Sequence, residues 1–388
     1  MLRVLCASLL IVASACPVGL AEGPEAGVLE TITFDESGKS RTIRGRVLIR
    51  AVDGGLLVQE RDGRLWTVTP DVLERRESTG VEFRAEGSEV LGKRLSAELG
   101  KRLSSEFHVE TSRHYTIVSS ADPRFTRWVS TLFERLRTAF LGYWKSRGVK
   151  LQAAEFPLVA IVLKDREQFS KFVAADANLD PSTVTGYYSM LSNRIVLYDI
   201  ARVPGRAPAA TSVEIQRRLS TAPAAIATVV HEAVHQVAYN CGLNRRLADN
   251  PLWLVEGMAV YFETPDLRSR SGWRTVGKVN VPRFARFADF VGRRRQPGSL
   301  KALVCSDGRF RDSGSVADAY AEAWALNYFL LRTHRKQYTE YLKRISAKPI
   351  LRWDTPQTRQ SEFEAAFGED WVELDRMFLK YMNRVRAR

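Results

Sequence analysis

The stretch His231-Glu232-Ala233-Val234-His235 constrains this chain more than any other. Positions i and i+4 of an α-helix share a face, so two imidazoles at this spacing can point at one ion. The glutamate beside the first histidine lies one residue round from that face. There it can reach a water on such an ion without displacing it, which places it as a base and not as a ligand. Histidine is scarce here, five in 388 residues, so an accidental match is expected on the order of once in a few hundred such chains.

The flanking residues specify a helix around the motif. The run from Ser220 to Val230 supplies an N-cap, a first-turn proline in Pro223 and an apolar stripe, and Gly242 follows as a stop. Val229, Val230, Val234 and Val237 make it a buried helix, where unpaired imidazoles would be costly. The competing description is a helix whose histidines meet solvent or satisfied core partners.

A catalytic zinc keeps three protein ligands and one open position, so a third ligand must come from elsewhere. The next strong helix signal runs from Asp249 to Glu263, capped by Asn250, opened by Pro251 and closed near Pro265. Its interior acid is Glu256, set among Leu252, Val255, Met258 and Ala259. A carboxylate there is expensive to bury unless a cation meets it, as zinc would; otherwise it is a solvated acid on an outer face. Glu263, two turns further on, faces the same way. It could accept a ring N–H from a zinc-bound histidine, or make a surface pair at the helix end.

A zinc-binding helix followed by Trp253-Leu-Val-Glu-Gly-Met-Ala-Val-Tyr-Phe-Glu263 resembles the gluzincin metallopeptidases, and among them the peptidase-MA-like bacterial families of unassigned function. The resemblance implies His231, His235 and Glu256 as ligands of a Zn2+ ion and Glu232 as general base. It also implies an α+β domain with a strand-rich half, the zinc helix and a helical C-terminal half. The gap between His235 and Glu256 is slightly longer than in the related aminopeptidases, which weakens any inference of an aminopeptidase. Related gluzincins carry an oxyanion-stabilising tyrosine at about the distance that separates Glu256 from Tyr320. Tyr320 lies on a helix from Ser315 to Tyr328, where Val316, Tyr320, Trp324 and Tyr328 form a stripe that is equally a core face; Tyr328 is the alternative donor.

Gly186 to Tyr198 reads as a strand pair about Ser192-Asn193 that could present an edge to an extended substrate or serve as ordinary core. It lacks the sequence with which aminopeptidases capture a free amine, so an exopeptidase is not supported.

Met1-Leu2-Arg3 and the apolar run Val4 to Ala15 have the length of a signal peptide and not of a membrane span. Cleavage after Ala15 or Ala21 fits, and Ala13-Ser14-Ala15-Cys16 can also be read as a lipobox that would attach the chain to a membrane through Cys16. Export leaves Cys241 and Cys305 as a disulfide pair or as two unrelated thiols. Residues 22–85 alternate apolar and polar positions around the turn Asp62-Gly63 and read as a small β domain. A helical linker over 86–106 precedes the main domain, 107–388. Val203 to Pro208 is a candidate mobile loop.

Lys and Arg number 58 against 44 Asp and Glu, a formal net charge of +14. The positives are spread, and export argues against nucleic acid, so solvated basic faces are the simpler account. His108, His114 and His334 have no companion motif and are read as structural. The expectation is an exported zinc-dependent peptidase acting on a peptide or protein substrate. The rival is a non-catalytic zinc-containing or cell-envelope binding protein on the same fold.

Overall fold

The computed structural model describes residues 20–21, 27–176, 180, 184–203, 205–207, 209–264, 266 and 273–386. The expected signal peptide up to residue 19, with the candidate lipobox at Cys16, and the two prolines of the 203–208 loop lie outside the described residues, as does Pro265.

The N-terminal part is an antiparallel sheet of β2 (Val28–Asp35), β3 (Ser40–Ala51), β4 (Leu56–Glu60), β5 (Leu65–Val68) and β6 (Leu73–Glu82). Its order is β5-β4-β3-β2-β6, with the two-residue β1 (Leu20–Ala21) paired to β3. Alternate side chains Ile32, Phe34, Ile43, Val58 and Val68 share one buried face, which is the period-2 pattern made physical. Strand β6 is nearly all polar, so its sequence carries little strand signal; as an edge strand it is exposed and ties to β2 through Arg76 and Glu30.

A second, mixed sheet has the order β10-β11-β9-β8-β7, built from β7 (His108–Thr111), β8 (Tyr115–Ser119), β9 (Leu158–Leu163), β10 (Gly186–Ser189) and β11 (Arg194–Tyr198). Strands β8, β9 and β11 run parallel, and β7 and β10 are antiparallel edges. Every residue of β9 is buried because both faces are covered. On one face Val159, Ile161 and Leu163 meet Leu91, Leu95 and Leu99 of α1 (Ser88–Leu103) and Phe169 of α3 (Arg166–Asp176). The segment expected as a linker is therefore also a layer of the main body. The other face, Leu158, Ala160 and Val162, joins the large core with α2 (Pro123–Lys145) and the helices that follow.

After α4 (Ser212–Ser220) the described chain is helical: α5 (Pro223–Asn240), α6 (Leu252–Phe262), α7 (Val281–Arg293), α8 (Ser299–Cys305), α9 (Gly308–Arg311), α10 (Val316–Thr333), α11 (Arg335–Ser346), α12 (Pro356–Phe367) and α13 (Trp371–Met382). The class is α+β, and no described helix is long and apolar enough to cross a membrane.

The two sheets are joined by a buried ion pair. Asp62, on the β4–β5 turn, lies 2.6 Å from Arg194 at the start of β11 and 3.1 Å from Arg94 of α1. Gly63 beside it has φ +84°, and a Cβ there would come within 3.0 Å of the Phe156 ring. Only a glycine allows this turn to sit so close to the main body.

Candidate metal centre

Only Thr221 and Ala222 separate α4 from α5, so Ser220 belongs to α4 and the N-cap falls on Ala222, which offers no capping side chain. Pro223 opens the helix and Gly242, at φ +75°, closes it, as the sequence predicts. The motif thus lies in mid-helix. His231, Glu232 and His235 are 0, 3 and 3 % exposed.

Helix α6 departs from its expected cap. Asn250 turns its Nδ2 back to the carbonyls of Arg245 and Ala248, and Asp307, ahead of α9, accepts from the Leu252 N–H at 3.0 Å instead. The helix then lies hard against α10: a Cβ on Gly257 would fall 2.0 Å from Asn327 Nδ2 and 2.4 Å from the Ala323 carbonyl. This close approach sets Glu256, the residue before Gly257, beside the helix that carries Tyr320.

Three ligand atoms converge. His231 Nε2 lies 3.0 Å from Glu256 Oε2 and 3.0 Å from His235 Nε2, and His235 Nε2 lies 3.5 Å from Glu256 Oε2. Tetrahedral bonds of about 2.0–2.1 Å to a zinc ion place neighbouring ligand atoms roughly 3.3 Å apart, so this triangle has the size of a coordination face. Burial alone would raise the Glu256 pKa, but the His235 and His231 imidazoles hold its carboxyl well below the usual range. A carboxylate and two ring nitrogens turned to one buried point need a proton on a ring or a metal cation among them. His231, His235 and Glu256 could therefore hold a metal ion.

Behind the ligands, His231 Nδ1 meets Glu263 Oε2 at 3.0 Å, which orients the ring and leaves Nε2 for the metal point. Glu263 is held in turn by Asn280, whose Nδ2 donates to Oε1 at 2.7 Å, and by the Arg283 guanidinium at 3.6 Å. Burial opposes its charge, and Arg283 and His231 prevail, so its carboxyl stays below the ordinary value. Neither Asn280 nor Arg283 stands out in the sequence. The visible signal is that Asn280, with Pro at the second helical position, caps α7.

Glu232 points to the other side. Its Oε2 accepts the Tyr188 N–H of edge strand β10 at 2.8 Å. Burial pushes its pKa up, against the two neighbouring imidazoles. Two further polar residues follow at intervals of four. Gln236 donates to the carbonyls of Val159 and Asn193, and Asn240 exchanges hydrogen bonds with the Asn193 carboxamide. Glu232, Gln236 and Asn240 thus form a polar stripe that staples α5 to the sheet, next to the face that carries the histidines. The sequence shows the stripe only as polar residues of period four on an apolar helix.

Tyr320 comes to the centre. Its ring is 6.3 Å from that of His231, and the Arg283 guanidinium lies 5.3 Å over it. Tyr328 packs on Tyr261, Trp324 and Tyr381, none of them a ligand. The hairpin forms as expected, with Asn193 at φ +59° in its turn, and its edge strand β10 is buried.

Of the two readings for the cysteines, the structure has the unpaired one: Cys241 and Cys305 are both free thiols. Cys241 is buried with its Sγ on the Ala238 carbonyl and Arg137 nearby, whereas Cys305 faces Lys301, Glu364 and Arg359. The thiols face different neighbourhoods.

Residues 225–352 match a family model described as a protein of unknown function, DUF1570. That span holds His231, Glu232, His235, Glu256, Glu263 and Tyr320 together with Asn280 and Arg283. No curated protein matches the chain.

Proposed function

We propose that this chain is an exported zinc-dependent peptidase of the gluzincin type, cleaving peptide bonds in a peptide or protein substrate. The observation that carries the reading is the buried triangle of His231 Nε2, His235 Nε2 and Glu256 Oε2, with edges of 3.0 to 3.5 Å and a glutamate of the same helix beside it. When bound there, a zinc ion would polarise the scissile carbonyl and acidify the attacking water.

The chain's own residues supply the rest. Glu232, with Oε2 pinned by the Tyr188 N–H and its pKa raised by burial, takes the proton of the attacking water and passes it to the leaving amine. Glu263 fixes the His231 ring. Tyr320, beside that ring, donates a hydrogen bond to the oxyanion that develops on the carbonyl. The signal-like run from Met1 to Ala15 supports export.

Metal content and turnover of a mixed peptide library, measured for the wild type and Glu232→Gln, test the reading. The expected result is about one zinc per chain in both proteins, with turnover in the variant down by ~100-fold or more. Zinc with no turnover in the wild type would instead favour the binding protein, and turnover untouched by the substitution would sink the mechanism.

A further inference from the structure

A cleft of about 680 Å³ opens between the C-terminal end of α2, Tyr261 of α6, the end of α10 and the start of α11. Its lining includes Arg147, Arg332, Arg335 and Lys336, and no carboxylate among the described residues. Elsewhere in the molecule well-buried arginines meet acids, as Arg194, Arg295 and Arg359 do. These four cations make no ion pair with a described acid. Arg147 is held by the Tyr143 carbonyl at 2.9 Å and Arg332 by the Gly277 carbonyl at 2.7 Å, both neutral acceptors. Arg147 Nε is shielded from solvent and has no hydrogen-bond partner among the described residues.

The hydroxyls of Tyr143 and Tyr261, 3.2 Å apart, stand in the same cleft. The first turn of α11, where Arg335 and Lys336 lie, has no side-chain cap. Four like charges gathered in one concavity raise its positive potential and repel one another, an arrangement that an anion relieves. The donors also suit a particular anion. Guanidinium groups and hydroxyls around one cleft match a group with several acceptor oxygens and more than one negative charge.

We infer that this cleft binds a phosphate group, either as a soluble phosphate or on a phospholipid. Arg147, half-buried, forms its floor, and Arg332, Arg335 and Lys336 form its exposed rim. The site is separate from the metal centre and does not depend on the peptidase reading.

Binding is measured on the full chain by calorimetry with inorganic pyrophosphate and inorganic phosphate at constant ionic strength. In parallel, the protein is sedimented with vesicles of phosphatidylglycerol and of phosphatidylcholine. The variants are Arg332→Gln/Lys336→Gln, on exposed positions that leave the core intact, and Arg147→Gln. Saturable binding of a phosphate probe that weakens about tenfold or more in the double variant is expected, with zinc content unchanged. Inorganic probes alone would mark a soluble ligand. Co-sedimentation with phosphatidylglycerol but not phosphatidylcholine, lost in the double variant, would mark a lipid headgroup. Absence of saturable binding with every probe, or equal binding by wild type and both variants, overturns the site.

Discussion

His231 Nδ1 lies 3.0 Å from Glu263 Oε2, so the helix that contributes Glu256 to the ligand triangle also contributes, one residue past its end, the acid that turns the first histidine toward it. A carboxylate at that distance favours a proton on Nδ1 and holds the direction of the ring. Removing its charge should loosen the metal and leave the fold in place. Glu263→Gln is expected to weaken zinc affinity about 10- to 100-fold, read by competition with a chromogenic chelator. An unchanged affinity would mean that the carboxylate serves Asn280 and Arg283 only.

Tyr320 stands beside the same histidine, its ring 6.3 Å from that of His231 and tilted by 46°. Tyr320→Phe keeps the packing against Phe310 and removes the donor. The expected outcome is a fall in kcat of ~10- to 100-fold, with KM and zinc content close to the wild type, measured on the best substrate from the library. A variant with full activity would return Tyr320 to the core stripe.

The ion pair between the sheets should be a point of high mechanical and thermodynamic leverage. Asp62→Ala leaves Arg194, 8 % exposed, without its anion, and should cost about 3–5 kcal/mol in urea unfolding. Burial would raise the Asp62 pKa, but Arg194, the Arg64 N–H and Arg94 outweigh it and hold it below the ordinary value. A folded-state pKa below that of the unfolded chain gives stability that is present at neutral pH and fades as acid protonates the group. Wild-type stability should therefore drop below about pH 4, and the variant should lose less over the same range.

Asp199 carries the opposite sign. Burial pushes its pKa up to about 6 against the Ala201 N–H that it accepts, and the neighbouring Asp122 adds to the rise. A raised acid costs stability as pH climbs from about 4 through 6, because the folded chain then holds a buried charge. Asp199→Asn keeps an acceptor for Ala201 and should raise Tm at pH 8, by the equivalent of up to ~2 kcal/mol, with no gain at pH 4. A gain of equal size at both pH values would point to a cause other than titration.

What was legible in the sequence is what short-range geometry dictates. The i, i+4 spacing of His231 and His235 puts them on one helical face whatever surrounds them, and the alternation in β2 to β5 forces one face of that sheet inward. Glu256 and Glu263 were legible for a related reason: both follow from a helix with one acid inside it and one at its end. The caps were less secure. A cap is a single hydrogen bond, and Asp307, distant in the chain, took the N–H that local reasoning gave to Asn250.

The sequence by itself determined that His231 and His235 share one helix face with Glu232 beside them, and which helices carry them, because each rests on a repeat of a few residues. Only the tertiary structure decided that Glu256 Oε2 reaches His231 Nε2, that the Tyr188 N–H holds Glu232, and that Asn280 and Arg283 hold Glu263. Those contacts join segments whose separation along the chain has no period. They are fixed by how closely α6 and α10 meet at Gly257, and by which edge of the sheet α5 lies against.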